Sequence, residues 1–304
     1  MKKLSIILLF LVSISINAKT YRVFYLGGQS NMDGYGYNKE LTPELNKVFN
    51  KIYIFHAQAS KDGDSINGRG CWVKLQPGHG AGFEFEGKKN KCGERFGLEL
   101  SFAKRIQELF PDENIALIKY SRGGTSIDTS AAQLEENYYG CWEPDYRGKN
   151  GVNQWDHFLA TLNNAFAIND IDGDGEADQL IPSGILWMQG ESDAWYPGSA
   201  LKYEKNLKHL MGMMRAALRR DDISVIIGQI SDSKKDSDGT YFDYGNIVRY
   251  AQKCFVAKDS NAALVTSTEK YDYIDAAHYT SKDFIDLGIQ FAEKLSVLLK
   301  RAKN

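Results

Sequence analysis

The sequence predicts an α/β fold, a flavodoxin-like three-layer αβα sandwich with a central parallel sheet of about five strands. Five short apolar runs carry this prediction, because each is bounded by glycine, polar or charged residues, as buried parallel strands are. They cover residues 21–28, 114–120, 183–189, 223–230 and 262–267. Amphipathic helical patterns alternate with these runs, and such alternation is typical of a parallel sheet covered by helices on both faces.

The helical patterns place apolar side chains at spacings of three and four residues, which puts them on one face of a helix. We expect helices at 96–110, 199–219 and 282–300. The stretches 57–95 and 128–153 show no sustained periodicity. Long irregular segments in compact domains are typically functional loops or lids, so we expect both stretches to serve the site.

Composition and charge exclude several classes of protein. The chain has 304 residues, 43% hydrophobic and 25% charged, with a formal charge of −2. These values are typical of soluble globular proteins and exclude collagen-like, coiled-coil and disordered chains. Lys and Arg are scattered rather than clustered, which argues against a nucleic-acid partner. We expect one domain over residues 19–304.

The first 18 residues have the layout of a secretory signal peptide. Lys2 and Lys3 precede an apolar run over residues 4–16, and Ala18 is a small residue suited to cleavage. The alternative is an uncleaved anchor, although the run is short for a membrane span. No later stretch is long and apolar enough to span a bilayer, so we expect a secreted or periplasmic protein with no membrane span after cleavage.

Export would place four cysteines in an oxidising compartment, where disulfides form. These are Cys71, Cys92, Cys141 and Cys254. Their spacings match no zinc-binding pattern. We expect a Cys71–Cys92 disulfide that closes the loop between them, and a buried free thiol at Cys254.

A serine and a histidine stand at positions suited to nucleophilic catalysis. Residues 27–32 read GGQSNM directly after the first predicted strand, which puts Ser30 at the carboxyl end of the sheet, where α/β folds place their sites. The alternative is that Ser30 caps a helix. A serine hydroxyl needs a base, and His278 stands just before the last predicted helix, three residues after Asp275. A carboxylate at that spacing can orient the imidazole.

Two further polar turns follow predicted strands. Residues 187–193 read WMQGESD, in which the Gln189 amide could stabilise an oxyanion and Glu191 could accept a hydrogen bond from the base. Residues 120–126 read YSRGGTS, in which paired glycines expose backbone N–H groups. Each turn alone could be an ordinary connection, but all of them would meet at one edge of one sheet.

In this order, the blocks GGQSNM, GGTS, QGESD and DAAH resemble the conserved blocks of SGNH-type hydrolases. The closest resemblance is to the sialate O-acetylesterase-like branch, which includes the acetylxylan esterases of carbohydrate esterase family six. It spans residues 22 to about 295, and it implies an enzyme that removes acetyl groups from acetylated carbohydrate. Acetylated xylan and O-acetyl sialic acid are both compatible, since specificity would lie in the loops 57–95 and 128–155.

The resemblance also implies roles for individual residues. Ser30 would be the nucleophile and His278 the general base, supported by Asp275, by Glu191 or by both. The oxyanion hole would comprise the N–H of Ser30, Gly124 and Gln189. The wider SGNH group has asparagine where this branch has Gln189. No metal or organic cofactor is needed for this chemistry.

Residues 170–178 read DIDGDGEAD and reproduce the start of a D-x-D-x-D-G calcium loop. The candidate ligands are the five acids Asp170, Asp172, Asp174, Glu176 and Asp178. Position twelve would be Ile181, so the loop departs from an EF-hand and is more similar to the shorter loops of dockerins. We expect a structural calcium ion, and the alternative is a solvated acidic loop.

Two other functions remain open at this point. One is a non-catalytic carbohydrate-binding protein on the same fold, which would not need Ser30, Gln189, Asp275 and His278 together. The other is a lipase or thioesterase of the wider SGNH group. The polar, aromatic-rich loops argue against a long acyl chain.

Overall fold

The computed structural model describes residues 18–132, 139–147 and 151–301. All but the last residue of the predicted signal peptide therefore lies outside the described residues. Among the helices that the structure describes, none combines the length and the apolar character that a membrane span requires.

The strands are β1 (Thr20–Gly28), β2 (Gly36–Tyr37), β3 (Ile52–His56), β4 (Trp72–Lys74), β5 (Glu84–Phe85), β6 (Asn90–Lys91), β7 (Arg95–Phe96), β8 (Asn114–Ser121), β9 (Gln179–Met188), β10 (Val225–Gly228) and β11 (Ala262–Val265). The helices are α1 (Ser30–Asp33), α2 (Glu99–Leu109), α3 (Thr129–Ala132), α4 (Gln154–Ala167), α5 (Pro197–Ala217), α6 (Gly245–Lys258) and α7 (Ser281–Arg301). The three predicted helices correspond to α2, α5 and α7.

The predicted α/β class is confirmed, with a wider sheet than the expected five strands. In the described residues the main sheet has seven strands in the order β11-β10-β9-β1-β8-β3-β4, and only β4 runs antiparallel to its neighbour. The five predicted strands alone follow the flavodoxin-like order 2-1-3-4-5. The two added strands extend one edge, because β3 pairs with β8 and β4 pairs with β3.

Helices flank this sheet. The helix α2 packs against α7, and α5 packs against α6. The helix α4 begins at a capping box, in which the Asn153 side chain accepts the N–H groups of Trp155 and Asp156 while the Asp156 carboxylate accepts the N–H of Asn153. This box fixes where the helix starts.

The central strand β1 lies between β8 and β9, so three strand ends meet at one point of the sheet edge. The backbone of Gly28 has a φ of +141°, and a Cβ there would lie 1.9 Å from the carbonyl oxygen of Met188. The N–H of Gln29 donates to that carbonyl at 2.9 Å, and the N–H of Arg122 donates to the carbonyl of Gly28 at 3.1 Å. These contacts hold the turn that follows β1 between the turns that follow β8 and β9.

The expected Cys71–Cys92 disulfide is absent from the structure, in which all four cysteines are free. The Sγ of Cys71 lies 3.4 Å from Asn90 Oδ1, and the Sγ of Cys92 accepts a hydrogen bond from Gln76 at 3.3 Å. Cys254 is free as expected but only partly buried, whereas Cys141 is fully buried. The two thiols that we expected to pair are therefore satisfied by separate polar neighbours.

Candidate active site

A cavity of about 560 Å³ opens at the edge where β1, β8 and β9 end. Four of the predicted site residues line it: Ser30, Gly124, Glu191 and His278. Asp275 and Gln189 do not line it: Asp275 bonds to the lining residue His278, and Gln189 bonds to groups behind the cavity wall. The sequence blocks thus meet at one sheet edge, as predicted. Some of their residues line the cavity, and the others bond to the residues or turns around it.

Ser30 is the first residue of α1 and is 7% exposed. The residue in the cap position is Gln29, so Ser30 does not act as the helix cap that the alternative reading required. A Cβ at Gly123 would lie 3.3 Å from the Ser30 Cβ, which shows how closely the neighbouring turn passes. The Ser30 side chain therefore stands at the cavity wall, at the start of a short helix whose first N–H groups have no partner within the helix.

His278 is oriented by Asp275. Its Nδ1 lies 2.7 Å from Asp275 Oδ2, and Asp275 Oδ1 accepts the N–H groups of Ala277 and His278 at 2.8 Å each. Burial raises the pKa of Asp275, but the hydrogen bonds from the imidazole and the backbone outweigh it and hold the pKa below its ordinary value. An ionised carboxylate at Nδ1 keeps the proton on that nitrogen and leaves Nε2 with a lone pair, as a general base requires.

An aromatic ring fixes the plane of the imidazole. The ring of Tyr35 stacks on His278 with 3.7 Å between centroids and an interplanar angle of 7°. The guanidinium of Arg95 lies over the Tyr35 ring at 4.9 Å and donates to the Tyr35 carbonyl at 3.0 Å. Sequence reasoning missed Tyr35, because a single tyrosine after GGQSNMDG carries no signal of its contact with His278.

Glu191 supports the site indirectly. Its Oε1 accepts a hydrogen bond from Asn31 Nδ2 at 2.8 Å, and the same Nδ2 donates to the carbonyl of Ala277 at 3.0 Å. Burial raises the pKa of Glu191, and the bond from Asn31 opposes that shift. Of the two candidate acids, the imidazole bonds to Asp275, whereas Glu191 reaches the His278 turn through Asn31.

The expected oxyanion donors differ in their positions. Gly124 lines the cavity with a φ of +75°, and a Cβ there would lie 2.3 Å from the Tyr139 ring. Gln189 is fully buried, and its Nε2 donates to the carbonyl of Thr125 at 3.0 Å and to Asp193 Oδ2 at 2.7 Å. The structure therefore does not bring the Gln189 amide to the cavity, because two nearby acceptors already engage it.

Asp193 holds the turn after β8 against the turn after β9. Its carboxylate accepts the N–H of Ile127 at 3.0 Å and that of Asp128 at 3.1 Å, besides the Gln189 amide. Complete burial raises the pKa of Asp193 to about 7, although these donors oppose the shift. Sequence reasoning assigned no role in the site to Asp193, yet it ties together two of the turns that frame the cavity.

A second histidine borders the cavity but lacks the features of a base. His56 lines the cavity wall, with its Nδ1 3.2 Å from Nδ1 of the buried His79 and its ring stacked on Phe83. Burial holds the pKa of His56 well below its ordinary value, and the charge of Lys119 adds to the effect. Among the described residues that line the cavity, His278 is the one histidine with a carboxylate on its ring.

Three of the five predicted calcium ligands form what we call the acidic cluster: Asp170, Asp172 and Asp174, whose ligand oxygens lie within 4.8 Å of one another. It lies near the amino end of β1, at the opposite edge of the sheet from the cavity. The ammonium of Lys19 contacts both Asp172 and Asp174, while Asp178 accepts the N–H of Ile171 at 2.9 Å. The oxygen donors fit calcium, but the ammonium of Lys19 offsets part of their negative charge, and Glu176 and Asp178 stand outside the cluster.

Comparison with known proteins places this arrangement among characterised families. The model of a family described as carbohydrate esterase, sialic acid-specific acetylesterase, matches residues 20–297. No curated protein matches the chain. Among solved structures, a protein from Arabidopsis thaliana is 21% identical with a TM-score of 0.63, and the match covers 92% of this chain and 98% of that one.

Two other solved structures share the fold at lower identity. A carbohydrate acetylesterase from Xanthomonas citri is 16% identical with a TM-score of 0.61, and the match covers 89% of this chain but 54% of that protein. The structure of NanS is 14% identical with a TM-score of 0.58, and the match covers 94% of this chain and 99% of that one. At such identities the likeness establishes the shared fold.

Proposed function

Because the chain belongs to the carbohydrate esterase family of sialic acid-specific acetylesterases, we propose that it is a serine esterase that removes O-acetyl groups from carbohydrate. One observation carries the proposal. Ser30 and His278 line the same cavity, and Asp275 holds the His278 imidazole with Nε2 free to accept a proton. A pure carbohydrate-binding protein has no need of an oriented base in the same cavity as a serine.

In the proposed reaction, His278 takes the hydroxyl proton of Ser30 as the serine oxygen attacks the acetyl carbonyl. The N–H groups of Ser30 and Gly124 stabilise the negative oxygen of the tetrahedral intermediate. The sugar hydroxyl leaves with the proton from His278, and an acetyl-serine remains. Water, activated by His278, then releases acetate and restores Ser30.

The walls of the cavity are suited to a sugar. They include seven Phe, Tyr and Trp side chains, which are Tyr35, Phe83, Tyr139, Trp195, Tyr196, Tyr241 and Phe242. Such rings offer flat apolar faces to a pyranose while their edges leave room for hydroxyl groups. Acetylated xylan and O-acetyl sialic acid are the candidate substrates, and the stretches 57–95 and 128–155 contribute the lining residues Phe83 and Tyr139.

The test is acetate release by wild type and by Ser30→Ala. We expect wild type to hydrolyse p-nitrophenyl acetate and at least one substrate from a panel of acetylated xylans and O-acetyl sialosides, and Ser30→Ala to lose at least about 1,000-fold in kcat. The matched control is Ser101→Ala, since the buried Ser101 hydroxyl donates to the carbonyl of Leu98 and does not line the cavity. Activity of Ser30→Ala near that of wild type would refute the mechanism.

We further propose that residues 1–18 direct export, so that residues 19–304 act as a single esterase domain outside the cytoplasm. No cofactor takes part in the proposed chemistry. A calcium ion at the acidic cluster would have a structural role, because the cluster lies at the sheet edge opposite the cavity.

A further inference from the structure

His56 lies on the wall of the cavity, to one side of the proposed nucleophile. It is the last residue of β3, and β8 separates β3 from β1, the strand that leads to Ser30. Neighbouring strands lie about 4.8 Å apart, so the backbones of β1 and β3 are about 10 Å apart. An acetyl group at Ser30 is too small to span that distance, whereas the sugar attached to it is large enough to reach the ring of His56.

A second, buried histidine holds the His56 ring. The Nδ1 atoms of His56 and His79 lie 3.2 Å apart. Phe83 stacks on the His56 ring with 3.8 Å between centroids and an interplanar angle of 16°. His79 is fixed in turn through its carbonyl, which accepts a hydrogen bond from the buried ammonium of Lys119 at 2.7 Å. The His56 imidazole is therefore held in one orientation before any substrate binds.

The contact between the two imidazoles also determines where their protons lie. Burial lowers the pKa of His79 to about 3 and holds that of His56 well below its ordinary value, so both rings are neutral at pH 7 and one Nδ1 donates to the other. Nε2 of His79 is buried and has no hydrogen-bond partner among the described residues. Because an unpaired N–H is tolerated less often in protein interiors than an unpaired acceptor, the proton of His79 lies on Nδ1 and is donated to His56. His56 then carries its own proton on Nε2, for which the described part of the chain provides no acceptor.

We propose that His56 is a substrate-binding residue whose Nε2–H donates a hydrogen bond to an oxygen of the sugar. This inference rests on the proposed esterase function. The acceptor is a hydroxyl or ring oxygen of the sugar that leaves, because the acetyl carbonyl is held near Ser30. Aromatic faces hold a sugar without fixing how it is turned, whereas a directed hydrogen bond fixes its orientation in the cavity.

The experiment compares wild type with His56→Phe on two esters. One is the best carbohydrate substrate from the panel of acetylated xylans and O-acetyl sialosides, and the other is phenyl acetate. Phenylalanine keeps a flat ring against Phe83 but has no donor, and the phenol that leaves phenyl acetate has no oxygen beyond the ester for His56 to bind. We expect His56→Phe to lose roughly 5- to 50-fold in kcat/KM on the carbohydrate, mainly through KM, and to stay within about threefold of wild type on phenyl acetate.

Two further variants separate the donor from the packing around it. His56→Gln places an amide donor near the position of Nε2, so it should recover part of the loss on the carbohydrate. His79→Phe removes the same contact between the two rings from a residue that does not line the cavity. It leaves the His56 imidazole in place and should therefore lose less on the carbohydrate than His56→Phe does.

The outcomes distinguish this inference from the proposed function. If His56→Phe loses activity equally on both esters, or on neither, His56 does not bind the sugar, and the inference is wrong while the esterase function stands. A loss in His79→Phe as large as that in His56→Phe would likewise assign the effect to packing and overturn the inference. If wild type releases acetate from no carbohydrate of the panel, the proposed function itself fails.

Discussion

Replacing Asn31 by alanine removes the link between the turn that carries Ser30 and the turn that carries His278. The Asn31 amide donates both to Glu191 Oε1 at 2.8 Å and to the carbonyl of Ala277 at 3.0 Å. A hydrogen bond to a charged group contributes about 1.5–3 kcal/mol, and one between neutral groups about 0.5–1.5 kcal/mol. We therefore expect the free energy of unfolding to fall by about 2–4 kcal/mol.

We expect the loss in the free energy of unfolding of Asn31→Ala to lie in the lower half of that range. The bond from Asn31 lowers the pKa of Glu191, which burial raises. Once the amide is gone, Glu191 can take up a proton, so that no unpaired carboxylate charge remains buried in the protein. Urea unfolding at pH 7 and at pH 5 would show this, because the variant should lose less stability at the lower pH, where protonation of Glu191 costs less.

The same change should slow catalysis without abolishing it. His278 would keep its bond to Asp275, but its turn would lose the contact to Asn31 that sets its distance from Ser30. A misplacement of about 1 Å in a catalytic group can cost about 100-fold in rate, so we expect kcat on p-nitrophenyl acetate to fall by roughly 10- to 100-fold with little change in KM.

Asn38→Ala is the matched control. The Asn38 amide donates one hydrogen bond, to the carbonyl of Gly93 at 3.0 Å, and does not line the cavity. We expect a loss of about 1 kcal/mol and unchanged kinetics. The reasoning would be refuted if Asn31→Ala matched this control both in stability and in kcat.

Three other predictions follow from the structure. Asp275→Asn should lower kcat by roughly 100- to 10,000-fold, because an amide no longer fixes the His278 tautomer. Glu191→Gln keeps an acceptor for the Asn31 amide and should lower kcat less than about tenfold. Equal losses would contradict the different roles of the two acids. Burial raises the folded-state pKa of Asp193 from 3.8 to about 7. Between these pH values the folded protein binds a proton at Asp193 that the unfolded chain has lost. This group therefore makes the free energy of unfolding fall as pH rises from about 4 to 7, by at most about 1.4 kcal/mol per pH unit. Asp193→Asn should remove that slope in urea unfolding at pH 4.5, 5.5 and 6.5, and an unchanged slope would assign it to other groups. Calorimetric titration of EDTA-treated protein should show calcium binding that Asp172→Asn abolishes, with a higher Tm in calcium; no binding at millimolar calcium would refute a calcium site at the acidic cluster.

The sheet was predictable where strands are long enough to show a buried run between polar boundaries. The strand β3 reads IYIFH and is fully buried, but it is only five residues long and borders an irregular stretch. Its neighbour β4 has three residues, of which none is buried, so no periodicity could reveal it. Both strands form through pairing at the sheet edge, which is a long-range contact that local patterns do not contain.

The site was predictable where the chemistry demands a residue type at a strand end. Ser30, His278 and Asp275 follow from that demand, and the cavity and the Nδ1 contact agree with it. The roles of Gln189 and Asn31 could not be read in this way, because an amide in a polar turn can face a substrate or a protein acceptor. The neighbours decide this, and each of the two amides bonds to at least one acceptor in the turn after another strand.

The two buried amides share one physical task, which explains why polar residues crowd these turns. Gln189 joins the turn after β9 to Thr125 in the turn after β8, and Asn31 joins the turn after β1 to the carbonyl of Ala277. Loops at a sheet edge have no ladder of hydrogen bonds to hold them, so side-chain amides with two donors must replace it. A serine and a histidine about 250 residues apart in sequence can therefore keep a fixed separation only if such crosslinks remain intact, and this is why we expect the loss of one buried amide to cost both stability and turnover.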